Sequence, residues 1–367
     1  MALLAAACGG QSATPTPAPT PVPTPIPTPS PTPVDVGAVV LKTIQATGYS
    51  AEFQLQGTGT FGGQALTSTG TWDTAGGDSH TTMKFVMGTD TWTTDSIEVG
   101  GKSWDSSAGG PYIPSANARC TSINDALRLA TGLTDQGIVT KNGQSLHHLT
   151  ITGGVDASCT VATSISVSGM TIQLDLYATD AGKIAAMDET DTWTQLSGGS
   201  TFNATISSEA TPTGAAAGAI TAPTDPWTLY ENTESNYRVA VPAGWSEELL
   251  QGRPTLHDAG NDHIVQLIVS QVPAGTTFDE YSKANRAGIN NLKSLKVNAS
   301  ESADLGGQTG GLLEFHYVLG TKTLHALDVF TVYSGDSYDV FWLSAPGTEK
   351  ADYEMFSNIV NSFVFTK

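Results

Sequence analysis

The 367-residue chain has little charge and still less of one sign. Only 14% of its residues are charged, and 16 Lys and Arg stand against 35 Asp and Glu, for a net charge of −19. The acid is spread over both halves of the chain, and none of it precedes residue 35. A field of that sign repels phosphate backbones and excludes nucleic acid as a partner. Long apolar runs are missing as well. None approaches the roughly 20 residues of a membrane-spanning helix, so a lipid is the one membrane attachment the sequence supports. No Gly-x-Ser-x-Gly, His-Glu-x-x-His or phosphate-binding loop stands in the chain, and the expectation is a protein without catalytic residues, cofactor or resident metal. Gly57 to Gly62 fits Gly-x-Gly-x-x-Gly, but a dinucleotide site needs a helix after it, and Gln64 to Trp72 reads as another strand.

Cysteine is scarce too, and the three present are informative. Cys8 follows Leu3-Leu4-Ala5-Ala6-Ala7 and precedes Gly9-Gly10. A small-residue stretch ending in cysteine, followed by glycines and a proline-threonine stalk, is the pattern by which bacteria attach diacylglycerol to a sulfur and cleave away what precedes it. Cys8 is therefore the expected lipidation site, on the extracytoplasmic face of a cell membrane. An export signal needs a basic start and an apolar core of roughly 7–15 residues. The seven residues before Cys8 contain no Lys or Arg, so a start further upstream is expected. With Cys8 lipidated, Cys120 and Cys159 remain as an even pair, expected to bond in an oxidising compartment. That bond would close about 40 residues, a contribution of roughly 3–4 kcal/mol in the chain-entropy model. Zinc is the rival reading, against which stands the lack of a Cys-x-x-Cys spacing.

Ten of the 19 prolines lie in residues 12–34. Proline fixes φ and removes an amide donor, so this segment is expected to be an extended, semi-rigid spacer. At about 3.1 Å per residue it reaches on the order of 60–70 Å. The organisation read from the chain is 1–8 as the end of a lipoprotein signal, 9–34 as stalk, 35–209 as a first domain, 210–226 as an Ala/Gly/Pro linker and 227–367 as a second domain.

In the first domain, apolar residues at helical spacing follow Asp35 as a cap. Alternating strands then succeed one another, with Gly62-Gly63, Gly76-Gly77 and Gly100-Gly101 as turns. Residues 121–133 read as a short helix, and strands resume at His147–Thr152, Met170–Ala178, Ile184–Thr194 and Phe202–Ser208. In the second domain, strands at 237–241, 264–269, 312–319, 327–332 and 338–343 accompany helices at 278–292 and 349–361, giving an antiparallel sheet backed by helices. The fold class expected for the whole is α+β and β-rich.

Two resemblances follow. Residues 36–208 carry an N-terminal helix, a strand meander from Tyr49 to Trp104, a helix near 125, and closing strands with Leu174-Asp175-Leu176-Tyr177 and the turn Asp180-Ala181-Gly182. In this order they resemble the bacterial lipoprotein-carrier superfamily of LolA, LppX and LprG. The resemblance implies a curved antiparallel half-barrel, with helices over its concave face and a lipid or acyl chain in the cavity. Residues 227–367 contain Tyr237-Arg238-Val239-Ala240-Val241-Pro242-Ala243-Gly244-Trp245 and an ending in which Phe356, Ile359, Ser362, Phe363 and Phe365 follow a helix. They resemble the PsbP-like fold, an α/β sandwich, which implies a non-enzymatic interaction or assembly module with an envelope protein as partner.

Phe53, Trp72, Phe85, Trp92 and Trp104 come from successive strands and are the candidate ligand-binding residues, lining one concave face. The same residues would equally fill an ordinary closed core. His257-Asp258-Ala259-Gly260-Asn261-Asp262-His263 packs four metal-capable side chains into seven residues, and also reads as a polar turn. His147 and His148 are adjacent on a strand, so their rings point to opposite faces. The function expected is a membrane-anchored extracytoplasmic lipoprotein that binds or transfers a hydrophobic ligand. The alternative is a non-catalytic cell-envelope structural or assembly protein without a ligand cavity.

Overall fold

The computed structural model describes residues 34–46, 48–114, 127, 130–152, 166–197 and 200–366. Cys8, the stalk, and the Cys120 and Cys159 pair lie outside the described residues, as does most of the helix expected over 121–133. What is described is β-rich, with large antiparallel sheets that do not close into a barrel and three helices.

Helix α1 (Val36–Ile44) is capped as its sequence suggests, the Ala38 amide donating to Asp35 Oδ1 at 3.0 Å. Its Val36 and Val40 are buried. Eleven strands follow: β1 (Ser50–Phe61), β2 (Gln64–Ala75), β3 (Asp78–Met87), β4 (Asp90–Val99), β5 (Lys102–Ser107), β6 (Ile113–Pro114), β7 (Gly132–Lys141), β8 (Gln144–Thr152), β9 (Ser166–Ala178), β10 (Ile184–Ser197) and β11 (Ser200–Pro212). They form one sheet in the order β6-β5-β4-β3-β2-β1-β11-β10-β9-β8-β7. Each half is a meander, and β11 returns to pair with β1 at the centre. Turn chemistry sets the register. Phe61 pairs with Gln64 across Gly62 and Gly63, whose φ values of 55° and 82° are those of the tight hairpin turn that suits strand twist. The Gly-x-Gly-x-x-Gly run is thus strand β1 entering its hairpin.

Two expectations are corrected here. Gly132 and Leu133 are paired with Thr152 and Ile151 in β7, so no helix extends to residue 133. The segment after residue 209 does not leave the sheet at once: Ala210–Pro212 belong to β11, and the Thr213 amide donates to the Glu52 carbonyl. Ladder pairing outcompetes the linker-like composition.

The second set of strands is β12 (Thr228–Asn232), β13 (Tyr237–Val241), β14 (Ser246–Leu250), β15 (Arg253–His257), β16 (His263–Gln271), β17 (Lys296–Leu305), β18 (Gln308–Leu319), β19 (Lys322–Tyr333), β20 (Asp336–Ser344) and β21 (Val364–Phe365), with helices α2 (Phe278–Ile289) and α3 (Glu349–Asn361). Seven strands make an antiparallel sheet, β14-β15-β16-β20-β19-β18-β17, and β12-β13-β21 make a small one. The seven-stranded sheet is covered on both faces. On one, Leu327, Val329, Val340 and Trp342 pack against α3 (Phe356, Ile359) and the small sheet (Tyr237, Val239). On the other, Leu313, Phe315 and Phe330 meet Phe278, Tyr281 and Ile289 of α2. Strands buried on both sides read as continuous apolar runs, which is why Ile264–Val269 lacks alternation.

Candidate functional site

The register decides which aromatic side chains share a face. Phe53 pairs with Trp72, and their rings stack at 4.6 Å. Phe85 pairs with Trp92, stacked at 5.4 Å. Ser68 pairs with Phe85 on one side and Gly57 on the other. Gly57 has the parity of Phe53, so all four rings lie on the same face, the one α1 covers. Phe53 and Trp72 are closed into the core with Val36, Val40, Leu149, Leu174, Leu176 and Met187. Phe85 and Trp92 are half-buried. Trp104 is not with them. It pairs with Ile97 and Pro114 on the opposite face, because the turn at Gly100-Gly101 sets Val99 across from Lys102.

The α1 face also carries two acids that composition and spacing do not single out. Glu189 pairs with Ser208, which pairs with Gly57, and Asp191 pairs with Ile206. Both have the parity of buried Met187 on β10. Burial pushes the Asp191 carboxyl up to about 7. Burial first, and the neighbouring Asp191 second, hold Glu189 well above the usual carboxylate range. Asp191 Oδ1 and the Ser68 hydroxyl have no hydrogen-bond partner. The signal was present in the sequence: carboxylates at the parity of Met187 interrupt an apolar face.

A second cluster lies on the α3 face of the seven-stranded sheet. His325 Nδ1 is 3.3 Å from Asp352 Oδ2, and His325 Nε2 is 3.2 Å from Glu314 Oε1. The Ser344 and Thr348 hydroxyls also donate to Asp352 Oδ2. Ser344 Oγ lies 3.4 Å from His325 Nδ1, in the manner of a nucleophile and its base. All three side chains are 3% exposed or less, however, which closes them to a substrate. The cluster clamps α3 to the sheet. His263 joins its edge: Nδ1 is 2.8 Å from Asp258 Oδ2, and Nε2 is 3.4 Å from Asp352 Oδ1. His257 Nδ1 meets the Asp258 carbonyl at 2.8 Å. The two histidines of this turn therefore have protein partners, and among the described residues no group of three or more His, Cys, Asp or Glu is placed to hold a metal ion. His147 and His148 face opposite ways, His147 to Asp135 and Asp180, and His148 to Asp175.

Under α2, Asp328 and Asp339 form a third group. The Tyr281 hydroxyl donates to Asp339 at 2.8 Å, and Asn285 Nδ2 donates to Asp328 at 2.9 Å. Burial pushes Asp339 up to about 6. Burial first, and the neighbouring Asp339 second, hold Asp328 well above the usual carboxylate range.

No family model matches the chain, and no curated protein does. Solved structures do. Cyanobacterial PsbP (CyanoP) from Synechocystis sp. PCC 6803 is 18% identical, with 41% of this chain and 98% of that one covered and a TM-score of 0.33. MucB, whose fold is LolA-like, is 11% identical over 90% of this chain and 98% of its own, with a TM-score of 0.26. A DUF1329 family protein from Desulfovibrio piger ATCC 29098 is 12% identical over 48% and 91%, with a TM-score of 0.27. Among the described residues, no helix is long and apolar enough to cross a membrane.

Proposed function

We propose that this chain is a lipid-anchored extracytoplasmic lipoprotein that binds or transfers a hydrophobic ligand. In this reading residues 35–209 hold the ligand and residues 227–367 engage a protein of the envelope, with no catalytic step. One observation supports it above the others. Four aromatic rings lie on the α1 face of the eleven-stranded sheet, and two of them, Phe85 and Trp92, continue that apolar face in a half-buried state beyond the closed core. A stacked aromatic pair of this kind offers flat apolar surface to an acyl chain. The anchor is a separate part of the reading and rests on Cys8 and the stalk. In the test, the full chain is purified from its own membranes and co-purifying lipid is measured by mass spectrometry. A stoichiometric lipid is expected, and repeated lipid-free preparations would oppose carriage. Metabolic labelling with a clickable fatty acid is expected to mark the wild type and not Cys8→Ser; equal label in both removes the anchor.

A further inference from the structure

Residues 210–226 have the composition of a free linker, yet their backbone is engaged along the first sheet. Pro212 is the last β11 residue paired with β1. Beyond it the Thr213 amide donates to the Glu52 carbonyl at 2.9 Å, and the Glu52 amide donates to the Ala215 carbonyl at 3.2 Å. The Ser50 hydroxyl donates to the Ala217 carbonyl at 3.0 Å. Gly214, with a φ of 86°, makes the bulge that lets the chain keep to β1. The β11 side of the ladder thus reaches Ser50, the first residue of β1. At its far end the segment is fastened again. The Trp227 amide donates to the Tyr112 carbonyl at 2.8 Å, and the Trp227 ring packs against the core of the seven-stranded sheet. Tyr112 is anchored in turn: its hydroxyl bonds Asp95, whose Oδ1 also meets His80 Nε2 at 2.7 Å. Between the two ends, Pro223 and Pro226 fix φ and remove two donors that would need partners.

The turn before Tyr112 also meets the second domain directly. The Ala108 amide donates to the Thr93 carbonyl at 2.7 Å, which folds the turn back beside Trp92. A Cβ at Gly110 would stand 3.3 Å from Asn358 Oδ1, so the bare glycine lets α3 approach. Strand β12 packs on β6 at the same corner, and residues 35–367 form one compact unit. Domains joined by a free Ala/Gly segment move independently unless something fixes them. Here the joint is bonded at both ends and the domains touch between. We propose that residues 213–227 are a strap and not a hinge, so that the two sheets move as one body and a protein engaged by the second domain is held beside Trp92. The last clause rests on the reading of the second domain given above; the strap does not.

The test has two readouts on the full chain, neither involving a ligand or a partner, so its failure would leave the carrier reading standing. Elastase cuts after small residues, and Gly214 to Ala219 offers a run of them. The wild type is expected to resist cleavage there. Ser50→Ala is expected to be cut about fivefold faster, the size of one ordinary hydrogen bond when cleavage tracks the open population. Spin labels carried on p-acetylphenylalanine in place of Ile138 and Leu319, exposed positions on the two sheets, are expected to give one narrow distance distribution by pulsed electron resonance. A broad distribution overturns the single body. Rapid cleavage of the wild type, or Ser50→Ala cut at the wild-type rate, overturns the strap even where the distance is narrow, because the corner at Gly110 would then hold the domains alone.

Discussion

The eleven-stranded and seven-stranded sheets both set carboxylates against their cores, and the most fully partnered pair, Asp352 and Asp339, is in the second. Asp352 meets His325, Ser344 and Thr348, and Asp339 meets Tyr281. Glu189 and Asp191 share a face with apolar side chains and unpartnered Ser68. A carboxylate inside a satisfied network is part of the architecture, because removing it strands every donor aimed at it. A carboxylate without donors adds nothing to the fold and weakens it, so its presence calls for a reason outside the fold. Burial alone does not separate the two cases; the partners do.

The sharpest way to break this comparison is Asp352→Ala. The substitution leaves His325, Ser344 and Thr348 without their acceptor and loosens α3 from the sheet. It is expected to cost about 3–5 kcal/mol, read as a shift of the urea midpoint. A loss under about 1 kcal/mol would show that the clamp is dispensable and that the contrast between the sheets is one of appearance.

Next comes pH. A carboxyl whose pKa is higher in the folded than in the unfolded chain binds more protons when native, so stability falls as pH rises between the two values. For Asp339 the window runs from the ordinary 3.8 to about 6, and the loss across it is about 3 kcal/mol at most. Below that window the stabilising proton is fully present, and above it the loss is complete. Asp339→Asn keeps an acceptor for the Tyr281 hydroxyl and removes the titrating carboxyl. It is expected to flatten the slope between pH 4 and 6 in urea melts, and an unchanged slope would move the cause elsewhere.

Much of this architecture is legible in the sequence, and where it is not, the reason is exposure. Strands β1 to β5 alternate, with glycine pairs after β1, β2 and β4 and Gly88-Thr89 after β3, so their order and turns can be counted. Counting across Gly100-Gly101 also places Trp104 on the other face from Trp92, a step that treating the aromatic residues as one set passes over. Strands β7 and β17 escape because they are edges: most of their residues are exposed, and no apolar period marks them. The helix α3 is legible to the residue, since Tyr353 aside its apolar positions face inward. Asp352 is not, because the value of that acid depends on His325 and Ser344 from two other strands. The Glu189 and Asp191 pair lies between these cases, visible as a broken alternation and interpretable only once the register places it on the α1 face.

Asp191→Asn sharpens the comparison from the other side. Where Asp352→Ala destabilises, this change is expected to stabilise the apo protein at pH 7.5 by about 1–2 kcal/mol, discounted for the solvent that reaches the group. At pH 4, where Asp191 is already neutral, the variant and the wild type are expected to melt together. Destabilisation at both pH values would mean that the carboxylate has an unrecognised structural partner.

The smallest effect compares the helices that cover the two sheets. Helix α1 sinks Val36 and Val40 into its core, whereas α2 has no fully buried residue and relies on its end. There the Thr277 side chain accepts from the Glu280 amide, and Glu280 accepts from the Thr277 amide in return. Thr277→Ala opens this capping box and is expected to cost about 1 kcal/mol. Asp35→Ala removes the cap of α1 by a comparable amount, but packing holds that helix in place. Hydrogen exchange distinguishes the two. The α2 amides are expected to lose protection in Thr277→Ala well before the strands beneath them, while in Asp35→Ala the α1 amides open only with the sheet. If both helices fray alike, burial is not what anchors α1, and the closed end of the first sheet is less rigid than its packing implies.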